Sequence, residues 1–133
     1  MKYTLISIVF VISLHAQSWS VVTASKNLHI KENALQNIYL KKMTQSNQYR
    51  LIVLNLSSTH TARKVFMQKV LHVNALDWSS YYDEMHFMGI KAPIVVESIA
   101  SMLTFLHKIE GSVGYVPSSY VDDTLIEITQ FSW

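Results

Sequence analysis

The segment Tyr49–Leu56 reads Tyr-Arg-Leu-Ile-Val-Leu-Asn-Leu. Its middle is continuously apolar and rich in branched side chains. Such a run suits a strand buried on both faces rather than one that alternates between core and water. A strand of that kind needs helices above and below it. The flanking segments supply them. Glu32–Leu40 carries Leu35, Ile38 and Tyr39 at helical spacing, and Ala62–Val73 carries Val65, Phe66, Lys69 and Val70. Leu76–Phe87 is a second helix of that pair, with Asn74 or Asp77 at its cap, and Gly89 ends it. Val96–Lys108 places Ile99, Met102, Leu103 and Leu106 on one stripe. Further strands are predicted at Val21–Ala24, Val113–Val116 and Leu125–Thr129. Thr44–Gln48 reads as a loop, and Asp122-Asp123 as a turn. Strands interleaved with helices define an α/β domain with a mixed central sheet of about four to five strands.

The N-terminus has a different character. Lys2 precedes an apolar run, Tyr3–Leu14, followed by the small and polar stretch His15–Ser20. That tripartite pattern is an export signal of about 20 residues. A membrane-spanning helix needs roughly 20 apolar residues, more than this run offers. Small residues at Ala16/Ser18 or Ser18/Ser20 place the mature start near Trp19 or Val21. The reading is therefore a signal peptide over residues 1–20 and one domain over 21–133. The chain has no cysteine, which removes disulfides, thiolate metal sites, a cysteine nucleophile and a lipid-bearing cysteine. After cleavage no membrane anchor is expected. Eleven basic and nine acidic residues give a net charge of +2, and no basic patch points to nucleic acid.

The hydroxyl-rich turn Ser57-Ser58-Thr59-His60-Thr61, with Arg63 just inside the next helix, is the segment that carries chemistry. A buried strand feeding a helix aims free backbone N–H groups and the positive end of the helix dipole at one spot. Ser57, Ser58, Thr59 and Thr61 add hydroxyl donors, and Arg63 adds a guanidinium fork suited to an oxyanion. The same residues also serve as ordinary helix caps, and residue chemistry alone leaves both readings open. The histidines His29, His60, His72, His86 and His107 form no ligand pair at metal-binding spacing, so no metal or cofactor is expected. No Gly-x-Ser-x-Gly elbow is present, and Trp78, Tyr81, Tyr82 and Phe87 read as packing.

The ordered set of segments resembles the phosphate-binding members of the periplasmic binding proteins. Asn37-Ile38-Tyr39-Leu40-Lys41-Lys42 is similar to their "iFlGk" segment. Strand, hydroxyl turn, Arg63 and Phe66 follow in the same order, then Trp78–Tyr82, Phe87-Met88-Gly89 and Pro93. Glu110-Gly111-Ser112-Val113-Gly114-Tyr115-Val116 resembles their "pGaIGYv" segment. The likeness runs from about Val21 to Ile128. It implies one lobe of that fold and a non-enzymatic, exported, periplasmic solute-binding protein. Phosphate or a similar oxyanion would lie at Ser57, Ser58, Thr59, Thr61 and Arg63, with Ser25 as an addition, and a membrane transporter or envelope protein would be the partner. Two departures stand out. His60-Thr61-Ala62 replaces the family's Ser-Gly-Thr before the arginine, and Thr23-Ala24-Ser25-Lys26 replaces its first Gly-Ser loop. A single lobe also leaves a ligand half open to water, which implies weak capture. The alternative is a ligand-free interaction or accessory module of the cell envelope built on the same domain.

Overall fold

The computed structural model describes residues 17–133, together with Ile8. Most of the expected export signal therefore lies outside the described residues. Strand β1 is Ser18–Thr23, and a 3-10 turn at Glu32–Ala34 runs into α1, Leu35–Tyr39. A small hairpin follows, β2 Gln45–Ser46 and β3 Tyr49–Arg50, then β4, Ile52–Leu56. Helices α2, Thr61–Lys69, and α3, Ala75–Phe87, lead to β5, Ile94–Val96. Helix α4, Ile99–Lys108, leads to β6, Ser112–Pro117, and a 3-10 turn at Ser118–Tyr120 precedes β7, Ile126–Ser132.

The main sheet has five strands in the order β5-β4-β6-β1-β7. Strand β4 runs parallel to both β5 and β6, whereas β1 is antiparallel to β6 and β7. This is the mixed sheet that the apolar β4 segment requires. Parallel neighbours need crossovers, and α2–α3 and α4 provide them. One crossover steps outward from β4 to β5, and the other steps back past β4 to β6. Right-handed connections then put the helices on opposite faces. Residues on β6 show this directly. The Tyr115 ring stacks on Phe66 of α2 at 4.1 Å. The adjacent Gly114 faces α4, where a Cβ would meet the Met102 sulfur at 2.5 Å.

Several elements differ from the sequence expectation, each for a local reason. The first strand starts at Ser18 rather than Val21. Trp19 is 1% exposed, lies edge-on to His60 at 5.5 Å and packs near Tyr115, Phe131 and Trp133. Ser20 is buried and bonds to Ser118 and Glu127. Ser18 and Ser20, small residues that suit a cleavage region, are thus strand residues. The Tyr49–Leu56 strand is split at Leu51, whose N–H bonds to Thr44 O while Ile52 turns to Gly111 O. The segment read as a loop at Thr44–Gln48 contributes β2. Helix α2 ends at Lys69, because Leu71 bonds back to Phe66 O and His72 takes a left-handed φ of 56°. The expected start of the fourth helix at Val96 is β5 instead. Ser98 caps α4 by accepting from Ser101 N at 3.0 Å, which delays the helix to Ile99.

Candidate functional site

Connections leave β4 toward β5 on one side, while β6 is reached from the other. The carboxyl ends of β4 and β6 therefore flank a point where the chain diverges, the position at which open α/β sheets form ligand crevices. The turn Ser57–His60 sits there. His60 N–H donates to Ser57 O at 2.9 Å, and the Ser57 and Thr59 hydroxyls lie 3.1 Å apart. The cap of α2 is His60 rather than a hydroxyl residue: its Nδ1 accepts from Ala62 N at 3.1 Å. A neutral ring capped in this way carries its proton on Nε2. Among the described residues, the Ser58 and Thr61 amides meet no protein acceptor. They stand at the positive end of the α2 dipole.

Arg63 is half-buried in the first turn of α2. Its Nη1 donates to Leu56 O at 3.0 Å, which leaves the rest of the guanidinium fork available. Burial pulls its pKa below the ordinary guanidinium value, and the nearby Tyr115 opposes that shift. No carboxylate is among the groups that shift it. A half-buried cation held by a main-chain carbonyl, with no carboxylate among the described residues that shifts it, is poised for an anion.

Tyr115 organises the ground beneath. Its hydroxyl accepts from Leu56 N at 3.1 Å and donates to Asn55 Oδ1. Burial pushes its pKa well up, so the hydroxyl stays protonated. Leu56 is thus held at both ends, by Tyr115 at its N–H and by Arg63 at its carbonyl. Replacing Tyr115 by Phe keeps the stack on Phe66 but strips Leu56 N–H and Asn55 of their partner. A loss of ~1–3 kcal/mol is expected, read from the urea midpoint.

The structure brings Ser57, Ser58, Thr59, Thr61 and Arg63 together on one turn. Ser57 and Thr59 satisfy one another in part, so Ser58 and Thr61 are the freer hydroxyls. Ser25 does not join them. Because β1 runs antiparallel to β6, its end lies at the start of β6, at the opposite end of the strands from the β4–α2 turn. Ser25 is buried there, its Oγ accepting from Gly111 N at 2.8 Å. It is a structural bond, not part of this site. His60, Asn55 and Tyr115 escaped the sequence reading. Asn55 alone gave a signal, as a polar residue inside an apolar strand that must find a partner. A groove of about 890 Å³ between α2 and α3 opens beside Ser58 and Arg63. Among the described residues, no three metal-ligating side chains converge.

A mixed sheet covered on both faces, with backbone amides, hydroxyls and a guanidinium at the carboxyl end of β4, defines an α/β domain with a ligand-sized crevice at its strand ends. Solved structures carry the same fold. One is a protein assigned as a phosphate ABC transporter substrate-binding protein from Clostridium perfringens, with phosphate bound. It superposes with a TM-score of 0.65 at 17% identity, over 85% of this chain and 44% of its own. An ABC-type phosphate transport receptor from Vibrio cholerae gives 0.61 at 16%, over 85% and 46%. PstS from Borrelia burgdorferi gives 0.63 at 14%, over 86% and 48%. The chain therefore has the fold of phosphate-transport substrate-binding proteins and spans less than half the length of each. No protein-family model and no curated relative matches it.

Proposed function

We propose that this chain is the ligand-binding part of an exported solute-binding protein, and that it takes an oxyanion, phosphate first among them, at the β4–α2 turn. The observation that carries this reading is Arg63, half-buried, anchored by Leu56 O and lacking a carboxylate among the groups that shift it. In this reading the anion sits before the first turn of α2. It accepts from the Ser58 and Thr61 amides, from the Ser58, Thr59 and Thr61 hydroxyls, and from the Arg63 fork. The role is binding and presentation, not catalysis. The partner is a membrane transporter, and the compartment is the periplasm, reached through the apolar leader. Among the described residues no helix is long and apolar enough to cross a membrane.

Calorimetric titration with phosphate and with sulfate tests the reading. Saturable binding at millimolar concentration or tighter, with a matching rise in Tm, is expected. Absence of both heat and thermal stabilisation at ~100 mM phosphate would contradict it, since any ligand of the folded state stabilises by mass action.

Leader removal carries its own expectation. The mature protein starts no later than Trp19, because a start at Val21 strips a buried indole from the core. Losing that ring costs ~3–5 kcal/mol. Intact mass of the exported protein reads the boundary, and a stable product beginning at Val21 would refute it.

A second reading, a ligand-free envelope interaction module, draws on a different face. Phe87 and Met88 at the end of α3 are exposed, as are Ile94 and Val95 on the edge strand β5. A silent phosphate titration together with concentration-dependent association through that face would favour it.

A further inference from the structure

The groove between α2 and α3 is far larger than an inorganic anion needs. Its volume of about 890 Å³ falls within the ~300–1,000 Å³ of pockets that hold drug-sized ligands. Helix α3 is tied to the end of α1, where the Tyr81 and Tyr82 hydroxyls donate to Leu40 O and Tyr39 O. Met67, Trp78 and Tyr82, all buried, form its apolar floor, and the Trp78 and Tyr82 rings lie 4.7 Å apart one helical turn from each other. Arg63 and Lys64 line the α2 side and Asp83 the α3 side, so the charge balance is positive. Arg63 and Ser58 belong both to this groove and to the β4–α2 turn.

An anion held by Arg63 therefore has an apolar channel leading away from it. We infer that the ligand is an organic oxyanion, a phosphomonoester of an aromatic or apolar alcohol, whose head lies at Arg63 and whose body lies over Trp78 and Tyr82. This rests on the reading of Arg63 as the anion anchor and adds the class of molecule attached to the anion. The aromatic floor supplies apolar burial that a bare phosphate leaves unused.

Phenyl phosphate and inorganic phosphate, titrated in parallel by calorimetry, test it. Phenyl phosphate is expected to bind at least ~10-fold more tightly, about 1.4 kcal/mol. Ser79, exposed on α3 and lining the groove, offers a blocking position away from the core. Ser79→Trp is expected to erase the advantage of phenyl phosphate while leaving inorganic phosphate unchanged. Arg63→Ala is expected to weaken both ligands. If inorganic phosphate binds and phenyl phosphate gains nothing, the groove inference falls and the anion site stands. If the gain survives Ser79→Trp, the body lies elsewhere and the inference also falls. If neither ligand binds, both readings fall together.

Discussion

Replacing Gly111 by alanine is expected to leave little folded protein. Gly111 has a φ of 76°, in the left-handed region, and an added Cβ would sit 2.2 Å from Arg50 O. That oxygen is backbone and has no rotamer to escape into. The residue also joins the two halves of the sheet: its N–H donates to Ser25 Oγ at 2.8 Å and its carbonyl accepts from Ile52 N at 3.0 Å. The β4–β6 register, Ile52 against Ser112, begins beside it. The left-handed conformation costs an alanine ~1–2 kcal/mol, and overpacking adds ~1–3 kcal/mol or more. The sum, ~2–5 kcal/mol or more, reaches the low end of the ~5–15 kcal/mol of a typical domain. Gly89→Ala is the control. Its φ is 78°, but nothing lies within 4 Å of a Cβ there. Only the conformational part, ~1–2 kcal/mol, is expected. Gly114→Ala falls between, since its main obstacle is the flexible Met102 thioether. Urea denaturation ranks the three. Equal losses at Gly111 and Gly89 would show that the Arg50 contact is not what the fold depends on.

Arg63→Ala is expected to lower phosphate affinity by ~10–100-fold while the domain stays folded. Hydrogen bonds to a charged group contribute ~1.5–3 kcal/mol net, and each 1.4 kcal/mol is tenfold in affinity. The stability effect is smaller, because among the described residues the side chain's hydrogen bond is the one to Leu56 O. Arg63→Lys is expected to be intermediate, since an ammonium keeps the charge but loses the planar fork. Raising ionic strength should weaken binding only modestly, because half-burial limits screening. Unchanged affinity in Arg63→Ala would move the anion away from α2.

These two residues also show how unevenly the structure could be read from the sequence. The α/β layering was legible because β4 is apolar on both faces and the segments around it carry helical spacing. The α3 cap was legible because Asn74 is a preferred cap type, and its side chain accepts from Asp77 N at 2.8 Å. Asp122 was legible as a turn residue for a similar reason, bonding Thr124 N at 2.9 Å. The clustering of Ser57, Ser58, Thr59, Thr61 and Arg63 followed from their being adjacent along the chain. What escaped was non-local or ambiguous. Tyr115 reaches Asn55 across 60 residues, and no local pattern announces that bond. Ser25 joins the turn only through the resemblance, which places a Gly-Ser loop after the first strand; the antiparallel pairing of β1 with β6, which no local pattern announces, puts it elsewhere. Strand β5 is only three residues long and follows Pro93, too short for any period to show. The start of β1 was hidden because Ser18-Trp19-Ser20 suits a cleavage region and a strand equally well. His60 was passed over because histidine is not among the favoured cap residues, and its role depends on which ring nitrogen faces Ala62.

The central claim is that an oxyanion binds at the carboxyl end of β4. Amide chemical-shift mapping during a phosphate titration tests it most directly. The account predicts saturable shifts concentrated at the Ser58, Thr61 and Arg63 amides, absent in Arg63→Ala and not reproduced by chloride at matched ionic strength. Shifts centred on Ser25 and Gly111 at the opposite end of the strands, or none at all, would contradict it.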